Sequence, residues 1–236
     1  MEMIQAGVDV FRLNFSHGSH EEQRHRAKLI RECSENSGRI VGILADLQGP
    51  KIRTHKFRDG RVQLIRGETF ILDAALGKDD GDQERVGITY KDLPKDVKQG
   101  DILLLDDGRV ELEVEEVVDE EIRCISLYTC ELSNNKGINL KGGGLSAPAL
   151  TEKDKADLKA AVTMDIDYVA LSFACHAADV EECRKLVREA GSDAGIVTKI
   201  ERAEAIRNME EIIEASDVIM VARGDLGVEM GDAELP

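Results

Sequence analysis

Two kinds of patterning alternate along this chain, and the switch between them constrains the fold more than any single motif does. Near the start, Val8-Asp9-Val10-Phe11-Arg12-Leu13-Asn14-Phe15 reads as a buried strand with polar residues toward its C-terminal end. Ser19-His20-Glu21-Glu22 follows, a serine with a glutamate three residues on. This capping box predicts a helix to about Asn36, with Gly38 just past its end. Arg39 to Asp46 is then a second apolar strand, closed by a carboxylate. Strand, helix, strand with short connections is the pattern of parallel βαβ units.

After Gly49-Pro50 the pattern changes. Asp59-Gly60, Gly67-Glu68 and Asp107-Gly108 punctuate short alternating runs such as Arg109-Val110-Glu111-Leu112-Glu113-Val114. Alternation with period two between turn dipeptides predicts antiparallel hairpins over residues 53–146. The stretch ends in Lys141-Gly142-Gly143-Gly144, which reads as a flexible hinge returning to the first pattern; it lacks the spacing of a phosphate loop. Thr151 to Asp154 then starts a helix to about Met164, and Tyr168 to Phe173 is a strand. A helix from Ala177 to Ala190 is closed by Gly191, and Gly195 to Ile200 is a strand. Arg202 to Ala215 is mostly helical, and Val218 to Ala222 is a strand running into Arg223-Gly224-Asp225. The simplest architecture is a parallel β/α part, residues 1–52 and 147–236, interrupted by an inserted β domain at 53–146. No internal repeat is evident beyond the βα unit itself.

Composition narrows the functions available. Across 236 residues, 31 Lys and Arg stand against 47 Asp and Glu, a formal net charge of −16. That excludes a broad basic surface for nucleic acid or an anionic membrane. With no Trp, three Tyr and five Phe, the core is built from aliphatic side chains, and base-stacking platforms are not expected. No apolar run reaches the roughly 18 residues of a membrane span, and Met1-Glu2-Met3 opens no basic-then-apolar leader, so a cytoplasmic address is expected. Cys33, Cys124, Cys130, Cys175 and Cys183 are odd in number and unpaired in spacing, as reduced, mostly buried thiols would be.

In a β/α barrel the reactive residues gather at the C-terminal ends of the strands. Those ends offer Arg12, Asn14 and Ser16, then Asp46, then Lys199 and Glu201, then Arg223 and Asp225. Lys199 and Glu201 are two apart and project to one side of an extended segment. An ammonium beside a carboxylate, with Asp225 on the next strand, suits a hard divalent metal such as Mg²⁺ or Mn²⁺. The same Lys-x-Glu also reads as a surface ion pair, and spacing alone leaves both readings open. Arg12 and His17 ahead of a helix N-terminus read either as an anion site or as ordinary exposed side chains. Cys175-His176 reads as a packed thiol before a nucleophile, for want of an orienting partner.

Five blocks together carry a resemblance: Phe11-Arg12-Leu13-Asn14-Phe15-Ser16-His17-Gly18, Asp46-Leu47-Gln48-Gly49-Pro50-Lys51-Ile52-Arg53, Asn135-Lys136-Gly137-Ile138-Asn139, Thr198-Lys199-Ile200-Glu201 and Met220 to Glu229. In type and order they resemble the pyruvate kinases, in particular the potassium-independent bacterial type. The resemblance implies a partial TIM (β/α)8 barrel of α/β class, interrupted by a small all-β barrel acting as a lid. It implies transfer of the phosphoryl group of phosphoenolpyruvate to ADP, giving pyruvate and ATP. Lys199 would then stabilise charge on the phosphoryl group and the enolate, Arg12 would grip the phosphate, and Gly224 and Asp225 would receive substrate oxygens through backbone N–H groups. Glu201 and Asp225 would hold Mg²⁺ or Mn²⁺. Asn14, Phe15, Ser16, His17, Arg53 and Lys136 would contact the nucleotide.

One departure within the resemblance concerns a monovalent cation. Members that require K⁺ bind it through positions matching Asn14, Ser16, Asp46 and the carbonyl of Leu47, with threonine at 47 and glutamate at 51. Leu47 and Lys51 stand here instead. The lysine ammonium is expected to substitute for the ion, so K⁺ is not expected to be required. The two β/α stretches hold 142 residues, against about 250 for a whole eight-unit barrel. Against the family, the chain is expected to lack the first strand, the last strands with a substrate-contacting threonine, and the C-terminal domain. Three readings therefore stand: part of an active homotetrameric pyruvate kinase, a truncated chain that only binds nucleotide or metal, or a related lyase barrel using phosphoenolpyruvate or pyruvate. The charge is uneven: 0 over residues 1–52, −6 over 53–146 and −10 over 147–236. Arg12, Lys51, Arg53, Lys136 and Lys199 are thus local positive charge in an acidic protein.

Overall fold

The computed structural model describes residues 1–231; the last five positions, which the sequence boundary at 236 includes, lie outside the described residues. The chain opens with a short helix α1 (Glu2–Gln5), strand β1 (Val10–Asn14), helix α2 (His20–Ser37) and strand β2 (Gly42–Asp46). It continues through β3 (Arg61–Leu64), β4 (Thr69–Asp73), β5 (Arg85–Gly87), α3 (Leu93–Asp96), β6 (Ile102–Leu105), β7 (Val110–Val118), β8 (Glu121–Ser126), β9 (Cys130–Ser133) and β10 (Ile138–Leu140). The β/α pattern then resumes with α4 (Glu152–Val162), β11 (Tyr168–Leu171), α5 (Ala177–Glu189), β12 (Gly195–Ile200), α6 (Ala203–Arg207), α7 (Met209–Ala215), β13 (Val218–Val221) and α8 (Arg223–Met230). None of the described helices is long and apolar enough to cross a membrane.

Contacts divide the chain into two compact units. The first comprises Met1–Pro50 and Pro148–Ala222; the second comprises Lys51–Ala147 together with the segment that begins at Arg223. Helix α8 thus belongs by its contacts to the second unit, although it follows β13 directly in sequence.

The first unit is a five-stranded parallel sheet in the order β1-β2-β11-β12-β13, with a helix or helix pair after each of β1, β11 and β12. Its helices start as the sequence predicts. The Ser19 hydroxyl accepts from Glu22 N, the Glu22 carboxylate accepts from Ser19 N, and Gly38 ends α2 with φ +67°. Thr151 and Asp154 do the same for α4. Arg202 to Ala215 is mostly helical as expected, in two short helices that break at Asn208. One expectation needs correction: the first strand is not buried throughout, for only Leu13 of β1 is, because β1 lies at an edge of the described sheet and pairs with β2 alone. The opposite edge, β13, likewise leaves Val218 and Val221 exposed.

A repeated brace fixes the N-terminal ends of the central strands. Asp167, just before β11, donates its N–H to Ile43 O at 2.9 Å and accepts Ile43 N at 2.7 Å on its carboxylate. The same carboxylate accepts from Arg31 of α2 at 2.8 Å, and Arg31 also reaches the carbonyl of Asp165. Asp217, just before β13, repeats every part of this: 3.1 Å to Ile196 O, 2.7 Å from Ile196 N, 2.8 Å from Arg184 of α5, and Arg184 onto the carbonyl of Ala215.

The second unit carries a six-stranded sheet in the order β10-β6-β7-β8-β4-β5 and a two-stranded sheet β3-β9. Its pairs are antiparallel as expected, except that β4 and β5 run parallel. In β7, Val110, Leu112 and Val114 are buried between less buried glutamates, until the register shifts between Val114 and Glu116. The inward side chains join one aliphatic core around Phe70, Leu72, Leu103, Leu112 and Ile122. At the end of this unit Gly142, Gly143 and Gly144 all have positive φ, from +81° to +112°, a succession of left-handed residues that only glycine adopts readily. The segment expected to act as a hinge takes the form of a turn here, and Gly142 N donates to Glu229 O at 3.0 Å.

Candidate active site

In the first unit the C-terminal strand ends bring four charged side chains into one chain of contacts. Arg12 Nε lies 2.5 Å from Asp46 Oδ2, and Lys199 Nζ lies 3.5 Å from Asp46 Oδ1. Lys199 Nζ also lies 2.7 Å from Glu201 Oε1. Pairing explains the convergence, since Asn14 is level with Asp46 across β1 and β2, and Asp46 is level with Ala170 across β2 and β11. Asp46, Glu201 and Lys199 are 2%, 1% and 12% exposed in their side chains, whereas Arg12 is 55% exposed. The Lys-x-Glu pair is therefore no solvated surface bridge. Asp46 Oδ1 is buried without a hydrogen-bond partner, which leaves an oxygen with acceptor capacity beside the ammonium.

The third strand end holds what sequence reasoning passed over. Ser172, 1% exposed, accepts a hydrogen bond from Lys199 Nζ at 2.9 Å and donates to Leu47 O at 2.8 Å. Phe173 N, one residue on, donates to Glu201 Oε2 at 2.9 Å. The available signal was a hydroxyl at the end of the Tyr168–Phe173 strand, the position that carries Asp46, Lys199 and Asp225 on or after the other strands.

The Asn14–His17 run lies at the end of β1. Asn14 Oδ1 accepts from Ser16 N at 2.9 Å, and His17 is exposed. Phe15 stands apart: its ring is buried, its N–H donates to Asp46 O, and its carbonyl accepts from Lys153 Nζ at 2.8 Å. Lys153 also pairs at 2.6 Å with Asp157, whose other oxygen lies 2.7 Å from His20 Nε2.

In the second unit Arg53 and Lys136 lie on neighbouring stretches, for Thr54 N donates to Lys136 O at 2.8 Å and Lys136 N to Thr54 Oγ1 at 3.0 Å. Arg53 donates to Asn135 O at 2.9 Å, and Lys136 Nζ is 2.7 Å from Asp106. Lys51 Nζ lies 3.3 Å from Asp225 Oδ1, at the first turn of α8, where Gly224 is exposed with open space beside it. Each carboxylate assigned to a metal by resemblance is thus accompanied by an ammonium, Glu201 by Lys199 and Asp225 by Lys51. Among the described residues no three Asp, Glu, His or Cys side chains form a ready-made cage.

Comparison with known proteins decides the affiliation. A family profile described as "Pyruvate kinase, barrel domain" matches residues 1–236. The chain belongs to the pyruvate kinase family. It is 56% identical to pyruvate kinase II of Salmonella typhimurium over 99% of this chain and 49% of that protein. It is 53% identical to a pyruvate kinase of Haemophilus influenzae, over 99% of this chain and 50% of that protein. A crystal structure of a pyruvate kinase from Cryptosporidium parvum superposes with a TM-score of 0.92 at 35% identity, covering 98% of this chain and 49% of that one. The chain therefore spans about half the length of the relatives it matches, and its parallel β/α sheet corresponds to part of the family's barrel.

The cysteines are free, and only Cys124 and Cys183 are buried; Cys33, Cys130 and Cys175 are partly exposed, fewer buried thiols than expected. Burial pushes the Cys124 and Cys183 thiols up to about 12. Cys175 Sγ lies 3.7 Å from Phe173 O, and His176 Nδ1 is 2.9 Å from the amide nitrogen of Asn208.

Proposed function

We propose that these residues form the catalytic barrel portion and inserted lid of an enzyme that transfers the phosphoryl group of phosphoenolpyruvate to ADP, giving pyruvate and ATP. The observation that carries this reading is the largely enclosed Lys199 ammonium, held among Ser172, Glu201 and Asp46 at the strand ends with Arg12 on the far side of Asp46. Phosphoryl transfer needs positioned positive charge more than covalent assistance from the protein. In the proposed reaction the bond from phosphorus to the enol oxygen breaks, a bond to a β-phosphate oxygen of ADP forms, and the enolate takes a proton on carbon. Lys199 neutralises charge on the phosphoryl and enolate oxygens, and the exposed Arg12 binds the phosphate. Gly224 and Asp225 offer backbone N–H groups in the first turn of α8. Asn14, Ser16 and His17, and Arg53 and Lys136, would serve the nucleotide, and Phe15, buried in its ring and bonded through its backbone to Asp46 and Lys153, would hold the first run in place.

Glu201 and Asp225 would each offer an oxygen to a divalent cation of the Mg²⁺ or Mn²⁺ type. Their donors are hard carboxylate oxygens, and such ions need only one or two of these beside water and substrate oxygens. When bound, the ion withdraws charge from the substrate's oxygens. Lys51 takes the place of a monovalent cation, and Asp46 Oδ2 and the Leu47 carbonyl are already engaged by Arg12 and Ser172. A cytoplasmic, homotetrameric parent enzyme completes the proposal.

The test is a coupled pyruvate-release assay on the complete gene product. Lys199→Met is expected to lower kcat by about 10²–10³, the usual scale for losing one preorganised charge-stabilising donor. Binding of ADP with Mg²⁺, measured by titration calorimetry, should persist. Absence of turnover in the unmodified protein, with that binding intact, would favour the reading as a binding chain.

A further inference from the structure

Beyond the residues named by resemblance, we infer that Ser172 is a positioning residue which fixes the Lys199 ammonium and ties it to the Leu47 carbonyl. A serine hydroxyl has one proton to give. Here that proton is committed to Leu47 O at 2.8 Å, so toward Lys199 the oxygen acts as acceptor, at 2.9 Å. Ser172, Glu201 and Asp46 surround the ammonium, and Ser172 is the neutral member. It restrains Lys199 without adding negative charge that a phosphoryl group would have to overcome.

The local backbone is built for this. Phe173 has φ +57°, a left-handed conformation that is uncommon for a bulky residue and that turns the chain immediately after Ser172. As a result, consecutive residues address both partners of one ion pair: the Ser172 hydroxyl binds Lys199, and the Phe173 N–H binds Glu201. Gly49 permits the close approach. A Cβ there would lie 2.7 Å from Phe173 Cδ2 and 2.9 Å from Ser172 Cβ, and its φ is +68°. The loop after β2 is bound in turn to α4 by Gly49 N donating to Asp154 at 3.0 Å. Leu47, Gly49, Ser172 and Phe173 thus form one rigid support under Lys199 and Glu201. Its significance for catalysis rests on the phosphotransfer proposed above.

Two measurements separate this inference from that reading. In protein labelled with ¹⁵N-lysine, the Lys199 ammonium signal is identified by its loss in Lys199→Arg. A slowly exchanging Lys199 signal is expected in the unmodified protein and in Ser172→Thr. Ser172→Ala should speed its exchange with water roughly tenfold, the scale of one lost hydrogen bond to a charged group. Should Ser172→Ala fail to fold, Ser172→Cys keeps a side chain of the same connectivity with a poor acceptor and carries the same expectation. Unchanged exchange in the folded variant, or no protected Lys199 ammonium in the unmodified protein, overturns the inference. In the pyruvate-release assay, kcat should fall roughly tenfold in Ser172→Ala with KM for both substrates within about twofold, and Ser172→Thr should restore it. A rise in KM alone also overturns it. Should the unmodified protein release no pyruvate, the proposed reaction fails while the ammonium spectrum still judges Ser172.

Discussion

At the scale of single residues, the sequence announces charge far better than neutral support. Lys199, Glu201, Asp46 and Arg12 were legible because strand-end position and side-chain type together select them, and the structure joins them through 2.5–3.5 Å contacts. Lys51 carries the sharpest prediction. Its ammonium is tethered by the chain 3.3 Å from Asp225, so positive charge is supplied there without recruitment from solution. The complete enzyme is expected to be fully active when K⁺ is replaced by a large organic cation. Lys51→Gln should lose at least about tenfold in rate under those conditions and regain most of it on adding KCl. A many-fold loss in the unmodified protein would sink the idea. Ser172 was not legible, because a serine after an apolar strand is indistinguishable from any loop serine until Lys199 is seen against it.

At the scale of elements, capping boxes were legible from local residues, whereas contacts between distant segments were not. Ser19 with Glu22, and Thr151 with Asp154, start α2 and α4 through local bonds that need no distant partner. Whether a strand is central or at an edge depends on what pairs beside it. β1 and β13 are the two edges of the described sheet, and their exposed apolar residues are what an incomplete β/α barrel leaves uncovered. The attachment of α8 to the second unit was invisible for the same reason. The brace at Asp217 predicts a pH effect. The Ile196 N–H, then Arg184, hold its carboxyl below the usual range. A depressed native value contributes stability that is present above the unfolded value, about 4, and is lost as pH falls through the lower native value. Asp217→Asn should therefore lower the urea midpoint at neutral pH and flatten its decline below pH ~4. A decline as steep as in the unmodified protein would count against the brace.

At the scale of the whole molecule, two cores imply two unfolding events. The second unit's aliphatic cluster is drawn entirely from residues 52–147, and the parallel sheet has its own cluster around Leu44, Ala170 and Val197. Scanning calorimetry of the 236-residue chain is expected to give a van't Hoff enthalpy below the calorimetric one; equality would show a single cooperative unit. The sheet's two ends also answer to different demands. Around Lys199 the contacts are particular to this site, whereas Asp167 with Arg31 and Asp217 with Arg184 are one fitting used twice. Only the second copy encloses a single βα segment: between Arg184 and Asp217 lie the end of α5, β12, α6 and α7, so that stretch carries its own fastening. Its exchange for the corresponding stretch of a relative is expected to keep the register of β12 and β13 while replacing the residues at the opposite end of the strands. The N-terminal rim of the parallel sheet is, in that sense, a repeated joint.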